Sequence, residues 1–217
     1  MLALTRMVCA IIHRPVQKLA HGIHRFRAQY FAKNQKLFER LVKDGQSPET
    51  LFITCSDSRV VPSLITSSAP GDLFIVRNVG NIVPPVDQGV IGGVAAAIEY
   101  AVEMLDVKQI VVCGHTSCGA IKGACDHVEM GNLTELLSKL QPSVYAESET
   151  TDMDKRNSKN SLFVENVSMI NVKRSVKSII ERSFILEQMV ENGEIGVVGA
   201  MYNIDSGLVE FYDDVQY

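Results

Sequence analysis

Four short apolar runs, LFITC (51–55), DLFIVRN (72–78), QIVVCG (109–114) and IGVVGAMYNI (195–204), constrain this chain more than any other feature. They are rich in β-branched residues and almost unbroken by polar ones, the pattern of strands buried on both faces in a parallel sheet. Between the second and third lies GVIGGVAAAIEYAVEML (89–105), whose length and small residues predict a helix packed closely on a sheet or a partner helix. Strand, helix and strand in that order imply a right-handed crossover. The expected fold is α/β: a single domain with a central, mostly parallel β-sheet flanked by helices and preceded by an N-terminal helical arm. NIDSGLVEFYD (203–213) reads as a turn into an edge strand, 162–190 as one or two long helices, and the polar stretch 145–160 as an exposed loop.

Ile23, Phe26, Tyr30, Leu37, Phe38 and Leu41 recur at near-helical spacing and predict one amphipathic helix ending near Asp44-Gly45. Charge is uneven across this boundary. Residues 1–43 hold nine Lys or Arg against the single acid Glu39, which leaves 12 basic and 24 acidic residues for the remainder. The expected organisation is a basic arm over 1–22 and a catalytic domain over 23–217. A basic arm suits nucleic acid, an anionic surface or an organelle address. The plainer expectation is that it packs on the acidic body of its own or a neighbouring subunit, because the body lacks any nucleic-acid reading motif. No run reaches the eighteen or more apolar residues of a membrane span. Five cysteines without an export signal argue for reduced thiols in a cytosol-like compartment, so any cysteine function is metal binding or catalysis.

Ligands in open α/β sheets gather beyond the carboxyl ends of strands. The first run ends in CSDSR, with Cys55, Asp57 and Arg59, and the third enters GHTSCG, with His115 and Cys118. A His and a Cys three apart can share one face of a turn entering a helix, whose N-terminus favours a Cys118 thiolate. Two thiolates and an imidazole are a good zinc set, and three protein ligands leave the fourth position open as in catalytic sites. Taken singly, each residue has a plainer reading: a small buried thiol, a loop-capping histidine, an Asp57–Arg59 pair that only braces a loop. Cys113, Cys9 and Cys125 read as inert core thiols.

The order CSDSRV (55–60), RNVGN (77–81), AAIEYAV (96–102) and GHTSCGA (114–120) resembles the β-class carbonic anhydrases over most of the chain. The resemblance implies one Zn2+ per chain on Cys55, His115 and Cys118, with Asp57 and Arg59 as the catalytic dyad. It implies reversible hydration of carbon dioxide to bicarbonate and a proton, by attack of zinc-bound hydroxide. It extends to the plant-like, open-site branch, for which Gln46, Phe74 and Tyr100 stand nine before, nineteen after and forty-five after Cys55 and would line the substrate pocket. Thr116, Val79 and Ala120 depart from the commonest family residues. The resemblance also implies a homodimer or homotetramer with CO2, bicarbonate and water as its small-molecule partners, and no nucleic acid. A cytoplasmic location is expected, with organelle targeting through the basic arm as the alternative. His13, His21, His24 and His127 are proton-shuttle candidates by ordinary pKa alone. Hydrolysis of CS2 or COS and a purely structural zinc site are the rival expectations.

Overall fold

The computed structural model describes residues 14–85 and 92–212. These form two units divided between Gln46 and Ser47. In the first, α1 (Arg14–Arg25) runs into a π-helical turn at Phe26–Phe31, and α2 (Gln35–Asp44) follows. The predicted single helix is thus interrupted. The break sits at Asn34, whose backbone leaves the helical region with φ −111° and ψ 22°, while its N–H and its side-chain Nδ2 both donate to Tyr30 O, at 3.0 and 2.8 Å. Phe26, Tyr30, Phe31 and Phe38 cluster across the break, the closest rings being Phe31 and Phe38 at 4.8 Å between centroids. The predicted end holds: α2 stops at Asp44, and Gly45 turns the chain with φ 79°.

The second unit is built on β1 (Thr50–Cys55), β2 (Leu73–Asn78), β3 (Gln109–His115), β4 (Gly196–Tyr202) and β5 (Val209–Tyr212). Their spatial order is β2-β1-β3-β4-β5, with every pair parallel except the antiparallel β4–β5 edge. All four apolar runs are strands, and the segment after residue 203 is the expected edge strand. One face of the sheet carries Leu51, Ile53, Ile110, Val112 and Val197, packed with Val172, Val176 and Ile179 in a buried cluster. Fully burying one such side chain contributes about 1.5–3 kcal/mol. The opposite face holds the smaller cluster of Phe52, Val111, Cys113 and Ala200.

Helices α3 (Pro62–Ile65), α4 (Gly93–Glu99), α5 (Gly119–Cys125), α6 (Gly131–Ser138), α7 (Gln141–Ser148), α8 (Ser161–Ile180) and α9 (Phe184–Glu191) complete the unit. The predicted helix over 89–105 begins, among the described residues, at Gly93 and changes to a π-helical turn at Tyr100–Met104. Residues 89–91 of it lie outside the described residues, as do Cys9 and His13. Its buried side chains Ile98 and Ala101 join the main cluster, as the small-residue pattern required. The stretch 145–160 is not wholly a loop, because α7 continues through Ser148 with Ser143 and Val144 buried beneath it. Past Ser148 only a 3-10 turn at Met153–Lys155 forms, and Ser158 donates from its N–H to Asp126 at 2.8 Å to pin the segment.

Close approach of α8 to the sheet depends on missing side chains. A Cβ at Gly114 would stand 2.7 Å from Met201 Sδ and 2.8 Å from Val172 Cγ2. Gly114→Ala should therefore lower stability by about 1–3 kcal/mol through overpacking, read as the midpoint of urea denaturation. Gly93→Ala, with nothing within 4 Å of the added atom, should leave that midpoint unchanged or slightly raised.

Candidate metal centre

Adjacent parallel strands deliver the two halves of the site. Register pairs Thr54 of β1 with Cys113 of β3, so Cys55 and His115 emerge together at neighbouring carboxyl ends. After His115 the chain reverses through Ser117, held at φ 55°, and Cys118 sits immediately before α5. Cys55, His115 and Cys118 are 5%, 0% and 1% exposed, and their ligand atoms lie within 4.8 Å of one another. The Sγ atoms of Cys55 and Cys118 are 3.9 Å apart. Two sulfurs on one tetrahedral zinc, each at about 2.3 Å, would be separated by about 3.8 Å.

The histidine is oriented for the same purpose. Its Nδ1 lies 2.9 Å from Thr116 O, which sets Nδ1 as the N–H donor and leaves Nε2 as the lone-pair atom. Nε2 is buried without a hydrogen-bond partner. A buried acceptor left empty is costly unless a cation takes it, so the three side chains fit a zinc ion. The Thr116 contact comes from a main-chain oxygen, which explains why its side chain can differ from the family norm.

The thiols titrate as a pair. Cys55 is pulled down mainly by its hydrogen bond with Cys118, helped by His115 and by N–H donors including Gly80. Cys118 is pushed up by that same bond and by burial, although the Ala120 and Ile121 N–H groups favour its thiolate. The expected helix-terminus effect is therefore present but outweighed, and a bound cation is what removes the second proton. Away from the site, burial pushes Cys113 and Cys125 each up to about 12, which makes them inert core thiols as expected.

Asp57 stands beside the ligands, its Oδ2 3.9 Å from His115 Nε2. Arg59 grips both carboxylate oxygens, Nε to Oδ1 at 3.0 Å and Nη2 to Oδ2 at 2.8 Å, and also donates to Ser117 O. The Arg59 side chain, with its main-chain N–H, holds Asp57 far below the usual carboxylate range. A depressed pKa contributes stability above the unfolded value of about 3.9, lost only as pH falls through the folded value. The pair is therefore fully ionised at neutral pH.

Phe74 and Tyr100 pack on each other, their ring centroids 5.8 Å apart. Phe74 pairs in register with Leu51, whereas Cys55 pairs with Asn78. Four residues of strand, about 13 Å, thus separate the Phe74 rung from the Cys55 rung. The structure does not bring Phe74 to the ligands of its own chain. Gln46 is exposed at the end of the first unit. His21, His24 and His127 are exposed and none is a ligand.

The RNVGN segment does more than sequence reasoning assigned to it. Arg77 donates from Nε to Cys55 O at 3.1 Å and from Nη2 to Asp57 O at 2.8 Å. Asn78 closes the following turn by accepting from Ile82 N and donating to Ile82 O. The Gly80 N–H, reached at φ 84°, donates to Cys55 Sγ at 3.4 Å. An arginine at a strand end carries no signal of its own, because its targets are main-chain carbonyls twenty or more residues upstream.

A family model for carbonic anhydrase matches residues 50–209. The chain belongs to the carbonic anhydrase family. It is 37% identical over 211 residues to a carbonic anhydrase of Synechocystis sp., covering 92% of this chain and 72% of that one. A Pseudomonas aeruginosa carbonic anhydrase is 32% identical over 91% of this chain and 88% of its own. Among solved structures, the β-carbonic anhydrase CcaA superposes with TM-score 0.81 at 35% identity, covering 92% of this chain and 96% of that one. One of two tetrameric β-carbonic anhydrases from Sordaria macrospora superposes with TM-score 0.80 at 29% identity, covering 93% and 98%. These likenesses place the chain in the β class of the carbonic anhydrases, whose zinc the three ligands fit.

Removing the Arg77 contacts should loosen the metal without touching a ligand. Arg77→Ala should weaken zinc binding about 10–100-fold, the usual effect of losing a group that orients ligands, measured by competition with a chromophoric chelator. Arg77→Lys should not restore it, because one ammonium cannot span both carbonyls.

Proposed function

We propose that this carbonic anhydrase hydrates CO2 reversibly to bicarbonate and a proton at the Cys55–His115–Cys118 centre, with Asp57 and Arg59 as its catalytic dyad. The observation that carries the reading is an ionised carboxylate, clamped at both oxygens by Arg59, beside the open Nε2 of a buried ligand histidine. Zinc held by Cys55, His115 and Cys118 would supply the Lewis acidity that brings the pKa of water toward neutrality. Asp57 Oδ2 accepts a hydrogen bond from the attacking water and turns its lone pair toward the carbon of CO2. Arg59 keeps Asp57 ionised and restrains it from becoming a fourth ligand, which corresponds to the open-site branch. Arg77 and Gly80 hold the backbone from which both the ligand and the carboxylate project.

Gln46, Phe74 and Tyr100 are the proposed substrate pocket, the aromatic pair forming an apolar wall and Gln46 an amide donor. The four-rung offset of Phe74 from Cys55 favours a pocket that serves a neighbouring copy, and hence a homodimer or homotetramer. The tetrameric Sordaria relatives support this assembly. No described helix is long and apolar enough to cross a membrane. The free, buried cysteines among the described residues agree with a reducing, cytoplasmic location. In this reading the chain divides into a basic arm over 1–22 and a catalytic domain over 23–217.

Stopped-flow CO2 hydration by the zinc-loaded protein should rise with pH through a single alkaline pKa. Asp57→Asn should reduce it about 100-fold or more while zinc content stays at one per chain. Full activity in Arg59→Ala would sink the clamp. Co-expression of Phe74→Ala with His115→Ala chains should give mixed oligomers more active than either parent, whereas no gain would place the pocket within one chain.

A further inference from the structure

Helix α8 packs on the sheet through Val172, Val176 and Ile179, but Ser168, Asn171 and Ser175 make a second, polar stripe along it that is equally buried. Spacings of three and four residues place these three on one side of the helix. A buried polar side chain is costly unless it is hydrogen-bonded, so the partners show what the stripe is for. Ser168 donates to Val164 O within the helix. The other two reach out of it, and both reach residues 80–83. Asn171 Nδ2 donates to Gly80 O at 3.0 Å, while Ser175 Oγ accepts from Val83 N at 3.3 Å and donates to Asn81 O at 3.4 Å. The proposed reaction assigns no role to either side chain.

The segment they hold is one that touches a metal ligand. Gly80 and Asn81 follow each other at φ 84° and 45°, so two successive residues turn the left-handed way. Asn78 closes this turn through both main-chain groups of Ile82, a closure that does not include Gly80. Glycine is the residue least able to hold its own backbone orientation. Gly80 is anchored on both sides instead: its N–H donates to Cys55 Sγ at 3.4 Å, and its O accepts from Asn171. We propose that Asn171 and Ser175 are positioning residues of the metal centre, acting through residues 80–83 to keep the Gly80 N–H on the Cys55 sulfur. An N–H donated to a ligand sulfur draws electron density from it and fixes its direction, as outer partners of metal ligands do. Without Asn171 the Gly80 carbonyl is released, and rotation about the glycine lets its N–H turn away from the sulfur. The proposal rests on the zinc site and not on the reaction assigned to it.

The cobalt-substituted full chain, whose thiolate-to-metal charge-transfer absorption reports on the sulfurs, tests this together with zinc affinity from competition with a chromophoric chelator. Asn171→Leu keeps a branched side chain and removes the donor. It should weaken zinc binding about tenfold, the lower end of the usual effect of losing such a partner. It should also move the charge-transfer band to longer wavelength, because the sulfur then gives up its electrons more readily. Ser175→Ala removes only the two longer bonds and should shift both readouts the same way by less. Val176→Ala, an apolar truncation in the main cluster on the same helix, should lower the midpoint of urea denaturation without moving the band or the affinity. Unchanged band and affinity in both Asn171→Leu and Ser175→Ala, or an equal shift in Val176→Ala, overturns the proposal. A parent chain that takes up no cobalt overturns the zinc site and the proposal with it, and CO2 hydration enters neither readout.

Discussion

The parallel pairing of β1 with β3 is the constraint on which everything functional here depends. Cys55 and His115 are sixty residues apart in the chain, yet the Thr54–Cys113 register places them at adjacent strand ends. Hydrogen bonds evenly spaced along a parallel ladder fix that register to one residue, and a slip of one would turn a ligand onto the opposite face. Thr54 Oγ1, donating to Cys113 O at 2.8 Å within the core, adds a side-chain lock to the same pair of strands. Cys118 then needs no further long-range contact. A three-residue reversal through left-handed Ser117 carries it back to the ligand face.

Around this junction, charge is arranged so that the metal is wanted and the carboxylate is withheld from it. Two thiols 3.9 Å apart share one proton comfortably and lose the second only to a cation. Asp57 is close enough to compete for that cation, but both of its oxygens are occupied by Arg59. Arg77 works one layer further out, on carbonyls rather than side chains, and so fixes where both groups begin. The pentapeptide CSDSR thus contains a ligand, a carboxylate and its clamp, and RNVGN supplies the scaffold that aims them.

Much of the fold was legible because its signals were strong and local. The four strands were plain as short β-branched runs; β1 and β3 are apolar because they are buried on both faces, whereas β2 at the sheet edge is only half-buried. The edge strand β5 and the end of α2 at Gly45 were equally plain. What failed was continuity. The N-terminal helix breaks at Asn34, whose backbone alone leaves the helical region while its side-chain amide shares the Tyr30 carbonyl. The helix over α4 changes pitch at Tyr100, and α7 runs four residues into a stretch that composition marks as loop. Hydrophobic periodicity cannot register a single residue that leaves the helical φ/ψ region, and polar residues on the outer turn of a helix look the same as a loop.

The sequence by itself determined the chemistry: which residues are soft ligands, which acid lies beside an arginine, and that both groups end strands in an α/β sheet. These follow from residue type and spacing, and spacing is a local property of the chain. Only the tertiary structure decided that His115 presents Nε2 rather than Nδ1, that the Cys55 and Cys118 sulfurs meet at 3.9 Å, and that Arg77 braces Cys55 and Asp57 through their carbonyls. It alone placed Phe74 against Tyr100, with Phe74 four rungs from Cys55. Each of these is a distance between groups remote in sequence, set by strand register and by burial, which no single segment encodes.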